Sequence, residues 1–185
     1  ETTSLALGWA FYLLDRHPEV RARLEQEADT VLQGRMPSVE DVSRLTYTRM
    51  VFNETMRLYP PVPTVTRRAL KDDTIDGISI TAGDKILIHA WVTHRHPEFW
   101  ERPEEFNPER FQHEKEIPRG AWFPFLIGRR ACLGEHFAML EGVVALAAIA
   151  SRYRLERVEE EPMGTRPIST LRYARTLRMK VTRRS

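Results

Sequence analysis

A single cysteine stands between two glycines, directly ahead of a long apolar segment, and this stretch most constrains the fold. It runs Trp-Phe-Pro-Phe-Leu-Ile-Gly-Arg-Arg-Ala-Cys-Leu-Gly over residues 122–134 and contains Cys132, the only cysteine in 185 residues. The apolar run 133–150 predicts a helix that opens at Cys132, so free N–H groups of its first turn can point at the sulfur. That position, close to the cation of Arg130, favours the thiolate form that binds metals.

The neighbours of Cys132 decide between two interpretations of it. A lone cysteine is most often a small buried hydrophobe without a ligand. The spacing of the surrounding residues favours a cofactor instead. Gly128 and Gly134 allow the positive φ values and the close backbone approach that a loop over a flat cofactor needs. Phe125 can lie against such a cofactor, and Arg130 can hold an acidic group on its rim.

Residues 125–134 satisfy the pattern F-x-x-G-x-R-x-C-x-G at every fixed position, and Phe137, Ala138 and Glu141 follow. This segment resembles the haem loop of the cytochrome P-450 monooxygenases. One departure is Leu126, where the family usually has another glycine. The resemblance implies that Cys132 is the metal ligand, as a thiolate bound to the iron of haem b (iron protoporphyrin IX). The other haem contacts that it implies are Pro124, Phe125, Arg130, Leu133, Gly134 and Ala138.

Composition is that of a globular chain of about one domain, with 42% hydrophobic and 29% charged residues. The net charge of +2 gives no indication of nucleic-acid binding. One cysteine excludes an internal disulfide framework and fits a reducing compartment. No apolar stretch is long enough for a membrane span, and no signal peptide is present. We therefore expect a soluble cytoplasmic protein of bacterial type, with an N-terminal membrane anchor ahead of residue 1 as an open alternative.

The first residues have the composition of a helix interior with no cap before it, which predicts that the chain is a fragment. Residues 1–16 are apolar almost all round, so this helix should be buried, and it should end before His17 and Pro18. Glu1, Thr2 and Thr3 match the end of the distal-helix motif of the same family. The resemblance implies that Glu1 and Thr2 are catalytic and supply protons during oxygen activation. A surface glutamate and an ordinary helical threonine are the alternative.

Glu54 and Arg57 lie three residues apart on one face of a helix predicted over 46–58, which Pro60 ends. Any Glu and Arg meet this spacing easily. The run Leu-Tyr-Pro-Pro-Val-Pro at 58–63 and the complete Pro-Glu-Arg-Phe segment at 108–111 are less generic and also resemble the family. The resemblance implies a buried structural network of Glu54, Arg57 and Arg110 that locks the core around residues 122–134.

Arg67 lies ten residues before Gly77, where the family has an arginine that pairs with a haem propionate. Its neighbour Arg68 is the direct competitor, and a solvated strand charge is the other alternative. The resemblance also implies a substrate side of the haem, which includes the tip of a C-terminal hairpin at 168–171. The residues expected to line it are Val62, Thr64, Val65 and Ser169.

The histidines of His94-Arg95-His96 are a weak indication of a zinc site, because no third ligand accompanies them. A short turn usual in the family explains the segment better, and residues 97–121 are expected to form a long irregular stretch. Pro, Gly and capping residues predict the remaining elements. These are a helix over 18–33 ended by Gly34, a short helix capped by Ser38, a hairpin at Asp76-Gly77, a strand over 85–89 and a half-buried strand from Thr176.

Together the motifs predict a mainly α fold with small β-sheets, the C-terminal part of a cytochrome P-450 from the distal helix to the C-terminal hairpin. Residues 1–185 would be one portion of a single domain whose N-terminal part is missing. The resemblance implies a monooxygenase that inserts one oxygen atom from dioxygen into a small hydrophobic organic substrate, with no nucleic-acid partner. Electrons would come from a ferredoxin, flavodoxin or flavin reductase that docks near Arg129 and Lys115.

Two other function classes stay open at this stage. One is a peroxide-using or isomerising haem-thiolate enzyme, which the pair Glu1-Thr2 disfavours because such members usually lose it. The other is a non-catalytic haem-binding or sensor protein. The fragment alone is expected to expose apolar surface, to bind haem poorly and to be inactive.

Overall fold

The computed structural model describes residues 1–184 as a helical body with four separate pairs of antiparallel strands. This confirms the predicted fold class, mainly α with small β-sheets. The helices are α1 Thr2–Arg16, α2 Pro18–Leu32, α3 Thr46–Leu58, α4 Ala90–Thr93 and α5 Glu135–Ala150. Single 3-10 turns lie at Val39–Ser43, Pro108–Phe111, Glu114–Glu116 and Gly128–Arg130. The strands are β1 Val65–Arg68, β2 Asp73–Ile75, β3 Ile78–Ile80, β4 Lys85–Ile88, β5 Tyr153–Arg157, β6 Thr165–Pro167, β7 Leu171–Tyr173 and β8 Met179–Arg183.

The helices α1, α3 and α5 form the centre of the core. Trp9 of α1 is fully buried and stacks on the Tyr59 ring, with centroids 4.0 Å apart and planes 6° from parallel. α3 and α5 approach closely at Gly142, where an added Cβ would lie 2.3 Å from the Phe52 ring. α2 packs against α3 and α5 from the outside through a second buried cluster that includes Leu32.

Proline and capping residues set the helix ends, at or within one residue of the predicted positions. α2 begins at Pro18, whose missing N–H costs nothing at that position. It ends at Leu32, one residue earlier than predicted, and Gln33 then takes a left-handed φ of 49°. Ser38 and Asp41 form a capping box at the short turn that follows. Among residues 1–184, no helix combines the length and the apolar character that crossing a membrane requires.

Each strand pair is small, and three of the four lie beside the Cys132 loop or α1. β1 pairs with β4, and β2 pairs with β3 across Asp76 and Gly77, whose φ values of 53° and 78° confirm the predicted hairpin. The β6–β7 hairpin is fixed to α1 because Trp9 Nε1 donates to the Leu171 carbonyl at 3.2 Å. The Leu171 amide donates in turn to the Pro61 carbonyl at 2.9 Å.

Two predictions about the end of the chain were wrong in detail. α5 begins at Glu135 and not directly after Cys132, because Gly134 caps it and its carbonyl accepts the first helical hydrogen bond from Ala138. Leu146 of this helix is fully buried, whereas Phe137 is 69% exposed. The last strand begins at Met179 and not at Thr176. Val181 is 59% exposed because it lies on the outer strand of a ribbon whose inner strand, β5, contacts α1 and α5.

Candidate functional site

The Cys132 loop, residues 122–134, is held in shape by two backbone hydrogen bonds. The Leu126 amide donates to the Phe123 carbonyl at 3.0 Å and closes a tight turn. The Cys132 amide donates to the Phe125 carbonyl at 2.8 Å and brings the two ends of the loop together. Leu126 and Gly128 have φ values of +64° and +77°. Leu126 therefore keeps the left-handed conformation that a glycine would adopt at lower cost, about 1 kcal/mol for a residue with a Cβ.

The thiol of Cys132 is exposed and lines a cleft of about 430 Å³ between the loop, α1, α3 and α5. Gly134, the residue that caps α5, adjoins the sulfur, since a Cβ built on it would lie 3.8 Å from Sγ. Most of the lining is apolar. The cleft brings together seven residues predicted from the sequence: Thr2, Val62, Pro124, Phe125, Cys132, Gly134 and Ala138.

A second cleft of about 450 Å³ adjoins the first, and Leu126 lines both. Arg67 of β1, Arg129 and Arg130 line this second cleft. Nη1 of Arg67 donates to the Thr66 carbonyl at 3.1 Å, and no ion pair within residues 1–184 engages either Arg67 or Arg130. The two predicted arginines thus lie in one depression beside the cysteine cleft, with their charges available to an anionic group.

Glu1 and Thr2 do not share a cleft. Thr2 lines the Cys132 cleft, whereas Glu1 lines a separate depression with Arg166, Arg172 and Arg175. The Glu1 carboxylate accepts hydrogen bonds from Thr170 Oγ1 at 2.8 Å and from Nη2 and Nε of Arg172 at 2.8 and 3.2 Å. These bonds, the Thr170 bond first and the Arg172 bonds and charge next, lower the pKa of the Glu1 carboxyl below its ordinary value.

The other predicted positions are dispersed. Thr64 Oγ1 donates to the Ile88 carbonyl at 3.2 Å, and Val65 pairs with Ile88 in the β1–β4 ribbon. Ser169 is exposed at the turn between β6 and β7. Leu133 is fully exposed and does not line the cleft. Sequence reasoning assigned no cleft role to Thr3, Ala6, Phe52, Met56 or Phe137, although all five line it.

Some of these missed residues carried a usable sequence signal. Phe137 lies about one helical turn beyond the cysteine, and Thr3 follows the predicted Thr2 directly. The core positions Phe52 and Met56 carried no such signal, because only the packing of α3 against the loop brings them to the cleft.

Glu54, Arg57 and Arg110 meet in one charged cluster, as the resemblance implied. Nε and Nη2 of Arg57 donate to the two carboxylate oxygens of Glu54 at 2.6 and 2.8 Å, and both side chains are fully buried. Nε of Arg110 lies 3.4 Å from Glu54 Oε1, within ion-pair range but without the geometry of a hydrogen bond. Burial raises the pKa of the Glu54 carboxyl, and the neighbouring guanidinium groups with the Asn107 amide oppose that rise.

The remaining donors of Arg57 hold the irregular segment after α4. Nη1 donates to the carbonyls of His94 and Pro103 at 2.8 and 2.7 Å, and Nη2 donates to the Glu105 carbonyl at 3.0 Å. All five N–H donors of this guanidinium are therefore used. No cluster of three His, Cys, Asp or Glu side chains suited to a metal ion occurs among residues 1–184, so His94 and His96 have no third ligand there.

Comparison with known proteins finds a matching family model and many similar proteins. The model of the family described as Cytochrome P-450 matches residues 1–180. Cyclooctatin synthase from Streptomyces melanosporofaciens is 42% identical over 92% of this chain and 38% of its own length. Carotene epsilon-monooxygenase, chloroplastic, from Arabidopsis thaliana is 37% identical over 100% of this chain and 35% of its own length. Pentalenene oxygenase from Streptomyces avermitilis is 33% identical over 100% of this chain and 42% of its own length. The chain thus spans 35–42% of the length of these relatives.

Proposed function

Because the chain belongs to the cytochrome P-450 family, a family of haem proteins, we propose that it forms part of a haem-thiolate monooxygenase in which Cys132 ligates the iron. The full protein would insert one oxygen atom from dioxygen into a small hydrophobic organic substrate. Residues 1–185 would be the C-terminal portion of its single haem domain. The observation that carries this proposal is the exposed thiol of Cys132 at an apolar cleft that Thr2 also lines.

The residues present fit haem b. A flat apolar macrocycle needs an apolar surface beside its axial ligand, and Phe125, Phe137 and Ala138 provide one next to the Cys132 sulfur. Two carboxylate groups on one edge of the macrocycle need cations, and Arg67 and Arg130 share the adjoining cleft. Thiolate-ligated haem supplies the oxygen-activating chemistry when it is bound.

Two features of this chain place positive charge near Cys132, and a third fixes its backbone. Gly134 beside it caps α5, and the free N–H groups at that end of the helix carry partial positive charge. Arg130 lies two residues away along the chain. The bond from the Cys132 amide to the Phe125 carbonyl fixes the cysteine backbone beside the cleft.

Thr2 is the group best situated to hold and pass a proton inside the cleft. Its side chain lines the same depression as Cys132, on the α1 side. Glu1 is held by Thr170 and Arg172, so it can act as a proton source for the cleft only after its carboxylate leaves them. We therefore assign Thr2 the proton transfer in the cleft and Glu1 the resupply of protons from outside it.

Substrate contacts would come from the same cleft. Val62 lines it directly, and the β6–β7 hairpin with Ser169 stands nearby, tied to Pro61 through Leu171. Cyclooctatin synthase, pentalenene oxygenase and carotene epsilon-monooxygenase bear names of hydrocarbon-like substrates or products. These names support an apolar substrate for this protein as well.

Electrons would come from a separate ferredoxin, flavodoxin or flavin reductase. Arg129 and Lys115 are both exposed and could contact an acidic donor. Relatives are found in bacteria and in a plant chloroplast, so the cytoplasmic location stays a prediction.

A peroxide-using haem-thiolate enzyme is the second candidate, and the position of Glu1 outside the cleft favours it. Turnover with isotopically labelled dioxygen separates the candidates. The full-length protein with an apolar terpenoid, an electron donor and a reductant should release product carrying one labelled oxygen. Product formed only when hydrogen peroxide replaces dioxygen and donor would support the second candidate. Haem binding without product under either condition would support a non-catalytic protein and overturn the proposal.

A further inference from the structure

His94 joins the buried arginine network to the Cys132 loop. It follows α4 directly, and its side chain has no exposed surface. The ring lies between two aromatic residues of the loop, with its centroid 5.0 Å from that of Trp122 and 5.0 Å from that of Phe123. Its Nε2 accepts a hydrogen bond from the Phe123 amide at 3.0 Å.

The backbone of His94 is fixed on the opposite side. Its carbonyl accepts from Arg57 Nη1 at 2.8 Å, and Arg57 is itself held by Glu54. A fully engaged guanidinium is a rigid anchor because each of its donors would lose a bond if it moved. The backbone of His94 is therefore anchored to α3, while its ring contacts the loop.

From His94 a continuous series of hydrogen bonds reaches the cysteine. The Phe123 amide is bound to the ring, and the Phe123 carbonyl accepts from Leu126 at 3.0 Å. The intervening Phe125 offers its carbonyl to the Cys132 amide at 2.8 Å. Moving Phe123 would displace the turn that carries Phe125 and, with it, Cys132.

The imidazole is present for its acceptor nitrogen and not merely to fill space. Burial, with the nearby Arg57 and Arg95 charges, lowers the pKa of His94 to about 3, so the ring is neutral and Nε2 is free to accept. Nδ1 then carries the proton, and the backbone of Met56 and Arg57 lies near enough to this ring to oppose the lowering of its pKa. An apolar side chain of similar size would fill the same space but would leave the Phe123 amide without its acceptor.

We propose that His94 is a positioning residue whose Nε2 fixes the Phe123 amide and thereby sets where the Cys132 thiolate meets its ligand. The inference rests on the proposed function only in assigning that ligand as haem iron. The hydrogen bond itself can be tested without any assumption about the reaction.

The test compares three substitutions in the full-length, haem-loaded protein. Gln places an amide oxygen as many bonds from Cβ as Nε2 of histidine, so His94→Gln should keep the acceptor. His94→Leu removes it, and His94→Asn carries a polar group too short to reach the Phe123 amide. The control is Thr55→Val, which removes the bond from Thr55 Oγ1 to the Val51 carbonyl inside α3 and leaves the loop untouched.

Amide hydrogen exchange of a peptide covering residues 122–132 is the first measurement. His94→Leu and His94→Asn should raise its exchange rate roughly tenfold, the factor expected for losing one hydrogen bond, while α1 and α3 exchange as before. His94→Gln and Thr55→Val should match the parent. If His94→Leu fails to fold, the difference in exchange rate between His94→Asn and His94→Gln still tests whether the acceptor is needed.

The carbon monoxide difference spectrum is the second measurement. His94→Leu and His94→Asn should lower the fraction of protein that shows the thiolate-type band, and His94→Gln should restore it. Equal exchange in all variants, or a rise spread evenly over every segment, would overturn the positioning role. A parent without a thiolate-type band would overturn the proposed function instead, while the exchange contrast would still test His94.

Discussion

Arg57 and Glu54 form a bidentate ion pair without any exposed surface, in which Nε and Nη2 donate to the two carboxylate oxygens at 2.6 and 2.8 Å. Such a pair gains little net stability over well-packed apolar residues, because both charges lose their water. Its effect here is geometric. The same guanidinium holds three backbone carbonyls between residues 94 and 105, so the irregular segment ahead of the Cys132 loop has one fixed path.

Breaking this pair should strongly destabilise the protein. Arg57→Met leaves the Glu54 carboxylate buried and largely unpaired, and we expect the free energy of unfolding to fall by about 3–5 kcal/mol. The exposed pair Arg102–Glu105 has the same spacing of three residues, and Arg102→Met should cost about 0–1 kcal/mol. Urea-induced unfolding of both variants measures the difference. Equal decreases in the free energy of unfolding would contradict the prediction that the buried Arg57 pair matters more than the exposed Arg102 pair.

Arg67 and Arg68 offer a matched pair for testing haem retention. Arg67 lies on the partly buried side of β1 and lines the cleft with Arg130, whereas Arg68 is on the exposed side. If Arg67 holds a propionate as proposed, Arg67→Gln would remove that charge-assisted hydrogen bond, and haem should leave about tenfold faster or more. Arg68→Gln should leave the rate unchanged. Transfer of haem to a scavenging protein gives both rates, and a greater effect at Arg68 would reassign the propionate contact.

The carboxyl of Glu1 should titrate below its ordinary value of 4.5. Because the folded-state pKa is lowered, the contact between α1 and the β6–β7 hairpin contributes stability above pH 4.5 and loses it as the pH falls through the folded pKa. The Thr170 bond is the largest single cause, and Arg172 adds a hydrogen bond and a charge, so Thr170→Val and Arg172→Met should each raise this pKa.

Isotope-edited NMR of the Glu1 carboxyl follows this titration. Arg175→Met is the control, because Arg175 lines the same depression but binds Glu161. A larger shift from Arg175→Met than from Thr170→Val would contradict the assigned contacts.

Thr2 and its neighbour Thr3 both line the Cys132 cleft, and only Thr2 is assigned proton transfer. Thr2→Val removes the hydroxyl at nearly constant volume and should lower product formation on the order of a hundredfold. Electron consumption should continue, with hydrogen peroxide released in place of product. Thr3→Val should keep product per electron pair near the parent value. Steady-state assays of product, peroxide and reductant measure this coupling, and a loss confined to Thr3→Val would exchange the two roles.

Local chemistry made much of the fold predictable. Pro18 and Pro60 mark helix boundaries because proline lacks an N–H, and Asp76-Gly77 marks a hairpin because both residues tolerate positive φ. The boundary after Cys132 was predicted too early because an apolar run shows where a helix can form but not where its cap lies. Leu126 shows the opposite case. The loop keeps a positive φ there although the sequence has no glycine at that position.

The long-range contacts in the site could not be predicted from the sequence. Glu1 binds Thr170 and Arg172, which lie 169 and 171 residues further along the chain, and no local pattern encodes that pairing. The His94 ring reaches the Phe123 amide only because α4 and the loop pack together. The motif around Cys132 predicted which residues gather at the cleft. It could not predict that Glu1 would be held outside it.

The central claim is that the Cys132 thiolate ligates haem iron, and the carbon monoxide difference spectrum of the reduced full-length protein tests it most directly. The parent should show a strongly red-shifted Soret band, and Cys132→His should lose it while the protein stays folded and haem-loaded. A red-shifted band that survives in Cys132→His, or a parent spectrum typical of histidine-ligated haem, would contradict the account. A folded parent without any haem signal would contradict it as well.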